Sequence, residues 1–250
     1  MKHLLYFFLF IVILSLTFIS CEKPERKHLS IAVSSNAQFV VKALVEEFEE
    51  IEDVNVELIS SSSGKLAAQI LQGAPYDIFI SADRYYPDFV YGKYANCLPP
   101  KNYAKGSLIL CSTALSEKIS LEQLKSESIK NIAIANPQLA PYGKATVEFL
   151  QAINQYETLK SKLIIGENIS QTAMYIQNGA VQAGFTARSL MYSPPFKNES
   201  NYIEIDTSLH SPIVQAFVVL NPDTISNRFA NFILSNHGRK ILSEFGYFRP

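Results

Sequence analysis

The stretch "VNVELISSSSGKLAAQILQGAPYDIFI", residues 54–80, decides how the chain is built. Val54, Val56 and Leu58 alternate along its start, as a half-buried strand requires. Four serines and Gly64 interrupt that pattern. Leu66 and Ile70, four apart, then mark one face of a short helix that Gly73 stops. "YDIFI" (76–80) is the next strand. Upstream, "LSIAV" (29–33) reads as a strand, and Val40, Leu44, Phe48 and Ile51 follow at close to helical spacing. This β-α-β-α-β order with short connections is the pattern of a parallel sheet with right-handed crossovers.

A second series of the same kind follows. "GSLILCS" (106–112) is a strand, Ser120 is placed to cap a short helix over 121–125, and "NIAIA" (131–135) is a strand. "NPQLAPYG" (136–143) leads into a helix carrying Val147, Leu150 and Ile153. "KLIIG" (162–166) is a strand, Ser170 is placed to cap a helix ending at Gly179, and "AGFTA" (183–187) is another strand. "NYIEI" (201–205) and "SPIVQAFVVL" (211–220) close the strands, before helices over 223–234 and 237–245. Two α/β halves with no low-complexity linker predict two lobes around a cleft, joined by extended segments near Ser107 and Ile213. The expected boundaries are 29–107 with 213–250 for the first lobe and 108–212 for the second.

The N-terminus predicts export. Lys2 precedes the apolar run "LLYFFLFIVILSLTFIS", residues 4–20, and the charged "EKPERKH" begins one residue after it. A positive start, an apolar stretch and a small residue before the break describe a secretory signal over 1–20. The run is shorter than the roughly 20 residues that a membrane span needs. Cys21 directly behind it, with Ser20 before, resembles a bacterial lipoprotein processing site, although Phe18 occupies a position where that motif usually has Leu. On that reading Cys21 is acylated and residues 21–28 form a lipid-anchored linker.

Of the 250 residues, 48% are hydrophobic and 18% charged, the composition of a globular chain large enough for two lobes. Net charge is −1; without Lys2 of the signal, 21 basic residues face 23 acidic ones. A nucleic-acid partner would demand a basic face, so none is expected. An anionic ligand would have to be attracted by local dipoles. Cys97 and Cys111 are equally readable as an extracytoplasmic pair or as buried free thiols. His3, His28, His210 and His237 are scattered, without metal-ligand spacing, so no direct protein–metal ligands are expected.

The chemistry gathers at the strand-to-helix turns. "AVSSNAQF" (32–39) puts Ser34, Ser35 and Asn36 before the first helix, and "SSSSGK" puts Ser63 and Gly64 before the second. "PYGK" puts Tyr142 and Gly143 before a third, and "ENIS" puts Asn168 to Ser170 before a fourth. In a parallel α/β sheet such turns share the carboxyl edge, where open sheets bind ligands. Each helix start adds unpaired N–H groups and about half a positive charge. Together they can form an anion site without Lys or Arg, although each turn alone is also ordinary capping. A nucleotide loop is excluded: Ile59 occupies the first Gly position of G-x-x-x-x-G-K-[ST], and Leu66 the Ser/Thr position. There is no G-x-S-x-G elbow, the histidines offer no recognisable base partner, and neither enzyme activity nor a cofactor is expected.

"SIAVSSNAQFVVKALVEEFE", "SSSGKLAAQILQGAPYDIFISAD", "IAIANPQLAPYGKATVEFL" and "AGFTARS" together resemble the molybdate/tungstate-binding proteins of ABC importers. The similarity runs in order from about Leu29 to the C-terminal "FGY", with the block from Ser61 to Asp83 the most specific. It implies a type II-like, two-lobed periplasmic-binding-protein fold, each lobe a mixed, mostly parallel sheet flanked by helices, with two chain crossovers. Carried over residue by residue, it implies an oxyanion site of Ser35, Asn36, Ser63, Tyr142 and Ile169. Ser63 would donate hydroxyl and N–H, and Tyr142 and Ile169 their backbone N–H groups. One branch of the family also uses a tyrosine hydroxyl after the "G-[IF]-V" strand. Ala187 occupies that position here, so the chain resembles the branch with Asn at the position of Asn36. The implied partners are molybdate or tungstate, an ABC permease, and the membrane through the lipid anchor, with the receptor acting as a monomer.

Molybdate, tungstate and sulfate are fully deprotonated near neutral pH, accept hydrogen bonds and donate none, so a donor-only site suits them. Phosphate carries a proton and wants an acceptor. The nearest carboxylate, Asp83, is better placed to cap the helix starting near Tyr85, with Pro87 in its first turn. Two alternatives remain in the same architecture. Sulfate differs from molybdate in size, and Tyr85-Tyr86 resembles the tyrosine ligands of ferric-ion-binding receptors. A porphyrin-synthesis enzyme of similar fold is cytosolic and conflicts with the signal.

Overall fold

Strand β1 (Lys27–Ser34) is buried at every position from Leu29 onward, because both of its faces are covered there. The structure is a computed structural model that describes residues 27–196 and 201–250; the expected signal and Cys21 lie outside them. Leu29, Ile31 and Val33 pack against helix α1 (Gln38–Ile51), while Ala32 on the opposite face packs with Leu66 and Ile70 of α2 (Ser63–Leu71). Helix α1 buries Val40, Val41, Leu44, Val45 and Phe48, one stripe at helical spacing. Ile51 closes the helix 65% exposed and adds nothing to that stripe.

Register matters most for the site. Strand β2 (Val54–Ser61) runs parallel to β1 through eight pairs, ending with Ser34 opposite Ser61. The two serine-bearing turns therefore leave the sheet side by side. Strand β3 (Ile78–Ile80) flanks β1 on its other edge. After α3 (Tyr85–Tyr91) comes β4 (Lys101–Lys105), then β5 (Leu108–Cys111), which belongs to a different sheet.

The second sheet repeats the arrangement. Strand β6 (Ile132–Ala135) pairs in parallel with β7 (Leu163–Gly166), and Ala135 ends opposite Gly166. Helix α4 (Pro141–Ala152) follows β6, the short α5 (Tyr156–Leu159) precedes β7, and α6 (Ile169–Gln177) follows it. Strands β8 (Ala183–Ala187) and β9 (Tyr202–Glu204) complete this lobe. The chain then returns as β10 (Val214–Val219) and ends in α7 (Thr224–Leu234) and α8 (Asn236–Glu244). Strand orders are β2-β1-β3-β10-β4 and β7-β6-β8-β5-β9.

Both sheets are mixed as expected, but they are less parallel. Strand β10 is antiparallel to both β3 and β4, and β5 is antiparallel to both β8 and β9. These are the strands that enter each sheet from the other lobe. The two crossing segments touch: Gly106 N–H donates to the Ile213 carbonyl over 3.0 Å. Gly106 has to be glycine, since a Cβ there would lie 2.6 Å from Gln215 Nε2 and closer still to the Tyr142 hydroxyl. Cys97 and Cys111 form no disulfide with each other; Cys111 is buried and Cys97 partly buried. Among the described residues no helix is long and apolar enough to cross a membrane.

Candidate functional site

Four turns at the carboxyl ends of β1, β2, β6 and β7 meet between the lobes around a small cavity of about 10 Å³. Its wall is Ser34–Asn36, Ser61–Ser63 and Ala82 from the first lobe, with Ala140–Tyr142 and Ile169 from the second. Ser35, Asn36, Ser63, Tyr142 and Ile169, the residues singled out in the sequence, all line it and all are buried. None of the lining side chains carries a charge. Ser63 and Ile169 open their helices and Tyr142 is second in its own. N–H groups at such positions lack intrahelical acceptors and carry the positive end of the helix dipole.

The hydroxyl and amide hydrogens of the wall are unevenly committed. Ser63 Oγ accepts from the Ala82 N–H over 3.1 Å, which leaves its own hydrogen to point elsewhere. The Asn36 carboxamide is the opposite case. Its Oδ1 accepts from Ser34 Oγ (2.8 Å), and its Nδ2 donates to Gln215 Oε1 and to the Tyr247 hydroxyl, both at 3.0 Å. Both amide hydrogens are thus used inside the wall. What Asn36 has left for the cavity is its main chain.

Behind Asn36 the network continues. Tyr103 donates to Gln215 Oε1 over 2.7 Å, Gln215 Nε2 donates to the Tyr142 hydroxyl over 3.1 Å, and Tyr247 donates to the Asn36 carbonyl over 3.0 Å. Burial pushes the Tyr103 and Tyr142 hydroxyls well above the ordinary tyrosine value, and Tyr247 up to about 12. The network therefore stays neutral throughout the physiological range. Tyr142 lines the cavity while its ring reaches back into this layer.

The lobes are held together around the cavity. Gly64 N–H donates to the Leu139 carbonyl (2.9 Å), Ser170 Oγ to the Ser35 carbonyl (3.2 Å), and Ser189 Oγ to the Asn36 carbonyl (3.1 Å). Lys65 pairs with Glu167 across the rim. The structure is thus a closed form. A Cβ on Gly64 would lie 2.7 Å from the Tyr86 hydroxyl and 3.1 Å from Leu139 Cα, so the closeness of the lobes here depends on that glycine.

Several local expectations change. Lys65, half exposed at the rim, bridges the lobes because Glu167 opens the facing turn. Asn168, not Ser170, caps α6 by accepting from Gln171 N–H. Ser170 lies inside the helix, which frees its hydroxyl for the cross-lobe bond to Ser35. Asp83 does serve the start of α3: its Oδ1 accepts from Tyr86 N–H, and burial raises its carboxyl above the usual range. Tyr85 is 65% exposed, whereas Tyr86 donates to the Gln138 carbonyl across the cleft. Ala187 ends β8, and it is Ser189, two residues on, that reaches the Asn36 main chain. Sequence reasoning missed Ser62, Gln215, Tyr103 and Tyr247. The only signal for the last was the C-terminal "FGY" inside the resemblance.

The profile described as bacterial extracellular solute-binding protein matches residues 29–248. The molybdate-binding protein ModA of Rhodobacter capsulatus is 30% identical over 220 residues, covering 86% of each chain. A putative ABC transporter substrate-binding lipoprotein of Bacillus subtilis, YvgL, is 24% identical over 91% of this chain and 89% of its own. In three dimensions the periplasmic molybdate-binding protein of Azotobacter vinelandii superposes with a TM-score of 0.82 at 26% identity, over 89% of this chain and 99% of that one. The two-lobed architecture expected from the sequence is the one observed.

Proposed function

This chain belongs to the bacterial extracellular solute-binding protein family, and on that premise we propose that it captures one molybdate or tungstate ion between its lobes and delivers it to an ABC permease. The family is one of solute-binding proteins rather than enzymes, and its members work outside the cytoplasm. The observation that carries the proposal is the cavity wall: buried hydroxyls and helix-start N–H groups from both lobes, and no charged side chain.

Burying a dianion costs several kcal/mol unless hydrogen bonds replace its water. Convergent donors at helix starts supply that replacement, and closure strengthens them by excluding solvent. In this reading Ser63 gives hydroxyl and N–H; Ser35, Asn36, Tyr142 and Ile169 complete the shell, the last three through the main chain. Closure is a population shift that the ion selects through contacts from both lobes. The receptor acts as a monomer tethered through acylated Cys21. The similarity to a lipoprotein relative supports that tether.

A thermal-shift panel tests the proposal. Molybdate or tungstate at 100-fold excess over its dissociation constant is expected to raise the unfolding midpoint by about 5–10 °C. Phosphate, which needs an acceptor, and ferric citrate are expected to produce none. No shift with either molybdate or tungstate would overturn the reading; a larger shift with sulfate would reassign the ion.

A further inference from the structure

Ser62 is 2% exposed, lines the cavity beside Ser63, and its hydroxyl has no hydrogen-bond partner among the described residues. It occupies the N-cap position of α2 with extended backbone (φ −70°, ψ 148°). A serine there ordinarily turns its hydroxyl onto the N–H of the second or third helical residue. Here it makes no such bond. The hydroxyls of Thr186 and Ser226 are also buried without partners, but only Ser62 of the three lines the cavity. An alanine would fill the same space without stranding a polar atom, so a serine at this position needs a partner that the fold itself does not supply.

We propose that the Ser62 hydroxyl is a further oxyanion donor, binding the same ion as Ser63. The inference rests on the oxyanion reading above and deepens it. The hydrogen-bond pattern of the neighbours favours it. Ser63 Oγ already accepts from Ala82 N–H, so its hydrogen is directed away from that contact. The Asn36 amide has no hydrogen to spare. A tetrahedral dianion has four oxygens, each able to accept more than one bond. Two adjacent serines at the start of one helix can therefore serve different oxygens, or the same one. The serine run before α2 thus contributes two hydroxyls rather than one.

The two roles open to Ser62 give opposite signatures. A binding hydroxyl is a burden to the free protein and an asset to the complex; a structural hydroxyl is the reverse. Titration calorimetry with molybdate, and thermal unfolding without it, are run on the wild-type protein, Ser62→Ala and Ser62→Cys. Cysteine keeps the volume and replaces the hydroxyl by a weak donor. Expected is about a tenfold or greater loss of molybdate affinity in both variants, the usual consequence of removing a hydrogen bond to a charged group. The ion-free midpoint of Ser62→Ala should equal or exceed that of wild type. Unchanged affinity in Ser62→Ala overturns the proposal, as does a lower ion-free midpoint with affinity retained. Wild-type affinity in Ser62→Cys would reduce the role to packing and overturn it equally. If the wild type itself binds neither molybdate nor tungstate, the oxyanion reading fails first and this inference falls with it.

Discussion

Ser63 and Asn36 are both buried and polar on the wall of one cavity, yet their hydrogens go in different directions. Ser63 is held by a bond it accepts, from Ala82 N–H, and Asn36 by bonds on every side-chain atom that can make one. Ser63→Ala should therefore lower molybdate affinity by about tenfold or more, with the free protein losing roughly the 1–3 kcal/mol of one stranded buried N–H; calorimetry beside denaturant unfolding reads both. Asn36→Ala should act first on stability, because it removes the acceptor of the Ser34 hydroxyl and one bond each from Gln215 and Tyr247. Denaturant unfolding of the ion-free protein should show a loss of about 2–4 kcal/mol, and wild-type stability in that variant would contradict the role given to the amide. The sequence could place Ser63 at a helix start, but it could not show where the Asn36 amide points. Its partners lie 179 and 211 residues away, and no local pattern links them.

At the scale of elements, parallel register does the positioning. Ser34 ends opposite Ser61 and Ala135 opposite Gly166, so each lobe delivers a pair of turns rather than isolated ones. That order was legible because the strands carry short apolar runs or alternation and the short helices carry their stripes openly. Strand β4 was not: "KNYAK" is an edge strand, with Lys101, Asn102 and Lys105 exposed and only Tyr103 and Ala104 buried. The cap of α6 was not either, since Asn168 and Ser170 are both good capping residues, and the second is engaged across the cleft. Gly64 is where an element meets the other lobe. Gly64→Ala places a methyl against the Tyr86 hydroxyl and the Leu139 backbone, so the closed form should become less favourable while helix α2 is left intact. Expected is about a tenfold or greater fall in molybdate affinity, with little change in ion-free stability. Small-angle scattering should show the ion-loaded variant more open than wild type; equal affinity and equal compactness would contradict the dependence of closure on this glycine.

Across the whole molecule, the near-neutral charge of the chain and the uncharged wall of its cavity describe one strategy. The protein does not attract an anion through net charge; the proposed attraction comes from helix starts and hydroxyls that only two closed lobes bring within reach of one ion. The two-lobe plan was visible in the sequence as two α/β series with no linker between them. The buried layer of Tyr103, Tyr142, Gln215 and Tyr247 that fastens the lobes behind the site was not, because it is assembled from β4, α4, β10 and the C-terminus. Isothermal titration of the purified protein with molybdate addresses the central claim directly. The account predicts one ion bound per chain, with affinity nearly constant from about pH 6 to about pH 9 because no side chain lining the cavity titrates there. It also predicts no competition from a large excess of phosphate. Absence of binding by both molybdate and tungstate, or displacement of bound molybdate by phosphate, would contradict it.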